Sequence, residues 1–224
     1  MSLQTINNEI YGHLFPSERI LLRPSEVAYD VNNIYQRQIL LIGGQRSGKT
    51  ATARMMALRA CKLYGQNNVN AVVGDDFELL IEHGIQDKLV NILFFDDATL
   101  KKVNKDLLRE YFRIRHVVKE ATKRSYGLVV TVFGVHDYFA LPKQFRTTCN
   151  VMLWKSPPTN PFDKRNTIKH IGEMGYALLQ SIELLRDENP ELIGVGVAYF
   201  LGLVGKFITP QATVNRLRKI EWAE

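Results

Sequence analysis

The chain of 224 residues is poor in cysteine, and its two cysteines, Cys61 and Cys149, belong to no C-x-x-C pair. That argues against a disulfide framework and against a cysteine-built zinc site; reduced cysteines in a cytosolic protein are the expectation. Long apolar runs are missing too. The longest, LIGVGVAYFLGLVG at 192–205, falls short of the roughly 20 residues that span a bilayer. Its glycines suit strands and turns. The first residues, MSLQTINNEIYGHLF, lack the apolar centre of a secretory signal. There is no internal repeat and no low-complexity tract. A cytoplasmic chain without membrane insertion is therefore expected, long enough for one α/β domain.

What is present is an ordinary globular composition, 46% hydrophobic and 23% charged, with a net charge of +6. The apolar pattern alternates between two periods. Compact runs at 38–44, 69–74, 89–97, 127–134 and 150–156 read as strands. Segments 47–64, 77–84, about 100–124 and 167–187 read as helices. Residues 20–27 read as a short strand and a turn, 156–166 as a proline-rich loop, 194–208 as one or two strands and 211–219 as a last helix. Strands alternating with helices predict an α/β fold, a mostly parallel sheet with helices on both faces. One domain over 1–224 is expected: an N-terminal extension to 37, a core over 38–156, and residues 157–224 completing the sheet.

The first strand ends in Gly43-Gly44-Gln45-Arg46-Ser47-Gly48-Lys49-Thr50, which fits G-x-x-x-x-G-K-[ST]. Glycines let the backbone turn so that successive N–H groups converge on phosphate oxygens. The helix over 47–64 presents its positive end to the same anion, with Ala51 as a further nucleotide-binding residue. Lys49 supplies a point charge and Thr50 a hydroxyl for Mg²⁺. The motif sits between a strand and a helix, as this chemistry requires, and it resembles the Walker A loop of P-loop NTPases. A second glycine cluster, Gly194 to Tyr199, fails the dinucleotide pattern because Tyr199 replaces the last glycine.

In NILFFDD, Asp96 and Asp97 emerge at the end of an apolar strand, where ligands sit in open α/β sheets. They resemble a Walker B motif, and two aspartates capping the next helix are the alternative. The resemblance gives Asp96 the magnesium role. It places Asp97 where ATPases of the additional-strand class carry a catalytic glutamate. In that class a further strand ends in a polar sensor. GLVVTVFG offers Thr131 as that sensor or as a β-branched core residue, with His136 as a loop histidine beyond it.

The segment KKVNKDLLREYFRIRHVVKEATKR, 101–124, holds nine Lys/Arg and three Asp/Glu. At helical spacing Leu107, Tyr111, Ile114, Val118 and Ala121 share one face. Lys102, Lys105, Arg109, Arg113, His116 and Lys123 share the other. That basic face is either solvated or a surface for DNA or for a neighbouring subunit's nucleotide. HDYFALPKQFRTTCNVMLWK resembles the FtsK–HerA group of P-loop ATPases, which includes DNA pumps and viral genome-packaging ATPases. The resemblance implies a RecA/FtsK-like fold, ATP with Mg²⁺, a ring of five or six copies, DNA as partner and a virus-encoded or virion-associated protein. It makes Arg146 an arginine finger for the adjacent subunit; a loop-anchoring arginine is the other reading. VVGDDFELL likewise resembles packaging ATPases, so Asp75 and Asp76 face the site or open a helix. The expected activity is ATP-driven translocation of double-stranded DNA. A helicase loader of the AAA+ type and a nucleotide-dependent protein switch are the alternatives. For the loader, Arg216 and Arg218 would be the lid arginines.

Overall fold

The computed structural model describes residues 21–96, 109, 111–189, 192 and 194–208. Asp97, Lys102, Lys105, Leu107, Arg216, Arg218 and the expected helix at 211–219 lie outside them. Seven strands form one sheet in the order β2-β3-β4-β1-β5-β6-β7. They are β1 (Ile34–Ile42), β2 (Val69–Gly74), β3 (Val90–Phe95), β4 (Gly127–Val135), β5 (Val151–Trp154), β6 (Val195–Phe200) and β7 (Leu203–Ile208). The first five run parallel, and β6 and β7 are antiparallel additions. The α-helices among the described residues are α1 (Pro24–Val27), α2 (Lys49–Tyr64), α3 (Phe77–His83), α4 (Ile114–Thr122), α5 (Lys143–Thr148) and α6 (Pro161–Leu185).

Alternate strand residues feed two cores, one on each face of the sheet. Ile39, Leu41, Ile92, Val130, Val132 and Leu153 pack with Ala53, Met56 and Ala60 of α2. Leu40, Ile42, Leu93, Phe95, Phe133 and Trp154 pack with α3, α4 and α6 through Leu80, Ile114, Val118 and Leu179. A sheet covered on both faces explains why its central strands read as unbroken apolar runs.

The turn expected within 20–27 is a helical turn over 24–27, because Pro24 presets the first helical φ and the Arg23 N–H donates to Glu26 Oε2 at 2.6 Å. Two expectations are corrected. β1 starts at Ile34, inside the expected extension. α6 starts at Pro161 inside the expected loop: proline suits a first helical position, and the Asn160 side chain accepts the Phe162 N–H at 2.9 Å. The helix also kinks at Gly172, whose φ of 75° is left-handed.

Candidate nucleotide site

Strand register assembles the site. Ile42 pairs with Val135 on one side and with Trp154 on the other, and Phe133 pairs with Phe95. The residues that follow these strands, Gly43, Asp96, His136 and Lys155, therefore leave the sheet along one edge. β4 lies between the P-loop strand β1 and the Asp96 strand β3. This is the additional-strand arrangement.

The loop turns through Arg46 and Gly48, with φ of 58° and 88°. Gly43 is required by close approach. A Cβ there would stand 2.5 Å from Ser47 Oγ and 3.0 Å from Lys155 Cβ. The loop is tied at its base: the Gly44 N–H donates to Ser156 Oγ at 2.8 Å, and the Lys155 N–H donates to the Ile42 carbonyl at 2.7 Å. Lys49 Nζ donates to the Gly43 carbonyl at 2.7 Å and to the Gly44 carbonyl at 3.2 Å. The Thr50 hydroxyl donates to Asp96 Oδ2 at 3.2 Å. Gly134 makes room for that carboxylate, since a Cβ at this position would lie 3.3 Å from Asp96 Oδ1.

Gln45, Arg46, Ser47, Gly48, Lys49, Thr50, Ala51, Asp96 and His136 line one open cavity of about 630 Å³. A glycine-hinged loop, a lysine and the first turn of α2 together are suited to the phosphates of a nucleotide. Thr50 and Asp96 place two hard oxygen donors side by side, the donor type that Mg²⁺ takes.

Thr131 does not reach this cavity. It is fully buried at mid-strand, paired with Gln38 and Leu93, and its hydroxyl meets the Tyr111 hydroxyl at 3.1 Å. The end of β4 is occupied instead by His136, which lines the cavity. Substituting Thr131→Val should leave the buried Tyr111 hydroxyl short of a partner. A loss of about 1–3 kcal/mol is expected by denaturant melts, with nucleotide turnover unchanged; a loss of turnover at unchanged stability would restore Thr131 as a sensor.

Arg146 lies on α5, which is anchored by the fully buried Phe145. Its guanidinium sits 4.7 Å from the Tyr138 ring centroid and 4.4 Å from that of Phe139. It is not among the described residues that line the P-loop cavity of its own chain. Asp76 caps α3, its carboxylate accepting the Leu79 N–H at 3.0 Å. Asp75 and Asp76 line a separate cleft of about 300 Å³ beside β2. In α4 and the residues flanking it, Tyr111, Ile114 and Val118 are buried while Arg109, Arg113, His116 and Lys123 are exposed. Ala121 departs from the expected face and is exposed, and Thr122 takes the buried position.

The residue pattern did not point to Lys155 or Ser156. Lys155 is fully buried, and its Nζ donates to the Val195 carbonyl at 3.0 Å. Burial, helped by the Arg186 charge, pushes its amine down to about 7. Their only signal was their place just after an apolar strand.

No family model matches the chain and no curated protein matches it. Among solved structures it is similar to B204, the DNA-packaging ATPase from Sulfolobus turreted icosahedral virus. The TM-score is 0.49 at 10% identity, over 78% of this chain and 97% of that one. The genome packaging NTPase B204 of Sulfolobus turreted icosahedral virus 2, in complex with AMPPCP, gives 0.49 at 11% identity over 81% and 98%. RuvB from Thermotoga maritima gives 0.38 at 11% identity over 98% and 69%. Likenesses this distant assign no function. Strand order and loop geometry define the fold, that of a P-loop NTPase of the additional-strand class. No helix among the described residues is long and apolar enough to cross a membrane.

Proposed function

We propose that the chain is an ATP-hydrolysing motor that moves double-stranded DNA, working as a ring of copies with ATP between neighbours. The observation that carries the hydrolytic reading is the contact of Thr50 with Asp96 at 3.2 Å, in the cavity that Lys49 also lines. On this reading Thr50 and Asp96 hold Mg²⁺, which would neutralise charge on the phosphoryl oxygens. Loop N–H groups orient the triphosphate, and Lys49 exchanges its two carbonyls for phosphate oxygens. His136, which lines the cavity at the end of β4, would sense the terminal phosphate in the role expected of Thr131. Asp97 would orient the attacking water, and Arg146 would reach the ATP of the next subunit.

The exposed Arg109, Arg113 and Lys123 support DNA as the partner, and Lys102 and Lys105 join them by sequence. The β6–β7 hairpin occupies residues that an all-helical lid of the loader type would need. The triple variant Arg109→Glu, Arg113→Glu, Lys123→Glu should weaken DNA binding uniformly across sequences. It should reduce the slope of log affinity against log salt by about 3. Unchanged affinity and slope would contradict this face, and a monomeric native mass under turnover conditions would contradict the ring.

A further inference from the structure

Beside the loop that carries His136 lies a buried acid that the phosphate site does not use. Asp163, in the first turn of α6, is fully buried. An ionised carboxylate held away from water is costly unless it is paired. Asp137, the Phe139 backbone amide and the Arg146 guanidinium are near enough to act on its charge, yet neither of its oxygens closes a hydrogen bond of good geometry. Arg146 Nε also lacks a hydrogen-bond partner, although its guanidinium lies over the Tyr138 and Phe139 rings. One turn along α6, Thr167 is buried, with Oγ1 lacking a hydrogen-bond partner. One turn further, the His170 ring packs 5.4 Å from Tyr138 and 5.7 Å from Trp154. Three successive turns of α6 thus run beside the 136–140 loop and the strand that ends at the P-loop base.

We propose that Asp163 is a positioning residue: facing Asp137 and Arg146 at once, it ties α6 to the loop that places His136. The catalytic half of this rests on the phosphate role proposed for His136. Two facing carboxyls do not both ionise cheaply. Burial first, and then the charge of Asp137, push the Asp163 carboxyl up from 3.8 to about 6, while Arg146 pulls the other way. The Tyr138 phenol, itself raised by burial, the Cys149 thiol that bears on it and the His170 ring packed against it are the other titratable groups around the cluster. In its neutral form Asp163 can donate to Asp137; above that range the two carboxylates repel, with Arg146 as the counter-charge.

The sign follows from the raised value. The folded chain holds this proton more tightly than the unfolded chain. The contribution is therefore full below the unfolded value, is lost as pH rises from about 4 to about 6, and is constant above. Wild type, Asp163→Asn and Asp163→Leu should be melted from about pH 4 to about pH 8 and assayed for MgATP turnover. The melting temperature of Asp163→Asn minus that of wild type should be near zero at about pH 4, grow to about pH 6, and then stay level. Turnover of Asp163→Asn should match wild type below about pH 6, where the wild-type carboxyl is neutral, and part from it above. In Asp163→Leu, kcat should fall about tenfold while KM for ATP changes less than about twofold.

A melting difference that does not change with pH overturns the proton linkage, and wild-type kcat in Asp163→Leu overturns the positioning role. Should the leucine variant fail to fold, the pH profile of kcat decides. Wild type should show an inflection near about pH 6 that Asp163→Asn lacks, and coincident profiles overturn the proposal. A wild type without turnover removes the catalytic half together with the reading beneath it. The melting difference still tests the carboxyl pair independently.

Discussion

Lys49→Ala is expected to abolish nucleotide binding, and turnover with it. The side chain is 7% exposed and lies within its own loop, its ammonium against the Gly43 and Gly44 carbonyls. A cation so placed is preorganised for a triphosphate, because the move from carbonyl to phosphate oxygens is short. Removing even one neutral hydrogen-bond donor from a transition state costs about 10²–10³-fold in rate. Here the loss also falls on ground-state binding and leaves two carbonyls to find other partners. Lys49 is the first residue of α2, and alanine is a good helix former, so the variant should fold. Titration with a fluorescent ATP analogue reads the effect. Wild-type affinity in Lys49→Ala would show that the cavity is not the nucleotide site.

Arg146→Ala should leave ATP binding largely intact and reduce turnover by about 10³–10⁵-fold, the range for an arginine finger. The guanidinium lies against the edge-packed Tyr138 and Phe139 rings, which limits its freedom before a neighbour's phosphates arrive. Losing the stack should cost about 0.5–2 kcal/mol of stability, far less than the catalytic loss. Arginine stacks through a planar group that lysine lacks, so Arg146→Lys should recover little turnover. Mixing subunits separates the roles. A ring built from Arg146→Ala and Lys49→Ala copies should regain turnover, since an intact finger can face an intact loop at some interfaces. Full turnover in homogeneous Arg146→Ala would make Arg146 a structural residue stacked on the 138–140 turn.

The phosphate loop was legible in the sequence because its chemistry fixes residue types at fixed spacing. Asp96 was legible because it ends an apolar strand. The sensor position was not. Every residue of Gly127–Val135 is buried, so no polar alternation marks where β4 ends, and Thr131 drew attention as the polar residue in an apolar run. Register marks the end of β4: Ile42 pairs with Val135, which brings His136 level with Gly43 and leaves Thr131 at mid-strand. Asp163 was hidden for another reason. NPFDKRN reads as a proline-rich loop, whereas Pro161 opens a helix and carries Asp163 inward. On α4 the basic face followed the helical period, and Ala121 missed the core because Thr122 could bury itself by donating to the Val118 carbonyl at 2.7 Å.

Phosphate release from ATP by the wild-type chain tests the central claim most directly, measured with Mg²⁺ and with chelator, with and without double-stranded DNA. The account predicts turnover that requires Mg²⁺ and rises when double-stranded DNA is added. Stimulation by single strands alone would favour a loader over a motor. No release under any of these conditions would contradict the reading of Thr50 and Asp96 as a hydrolytic site.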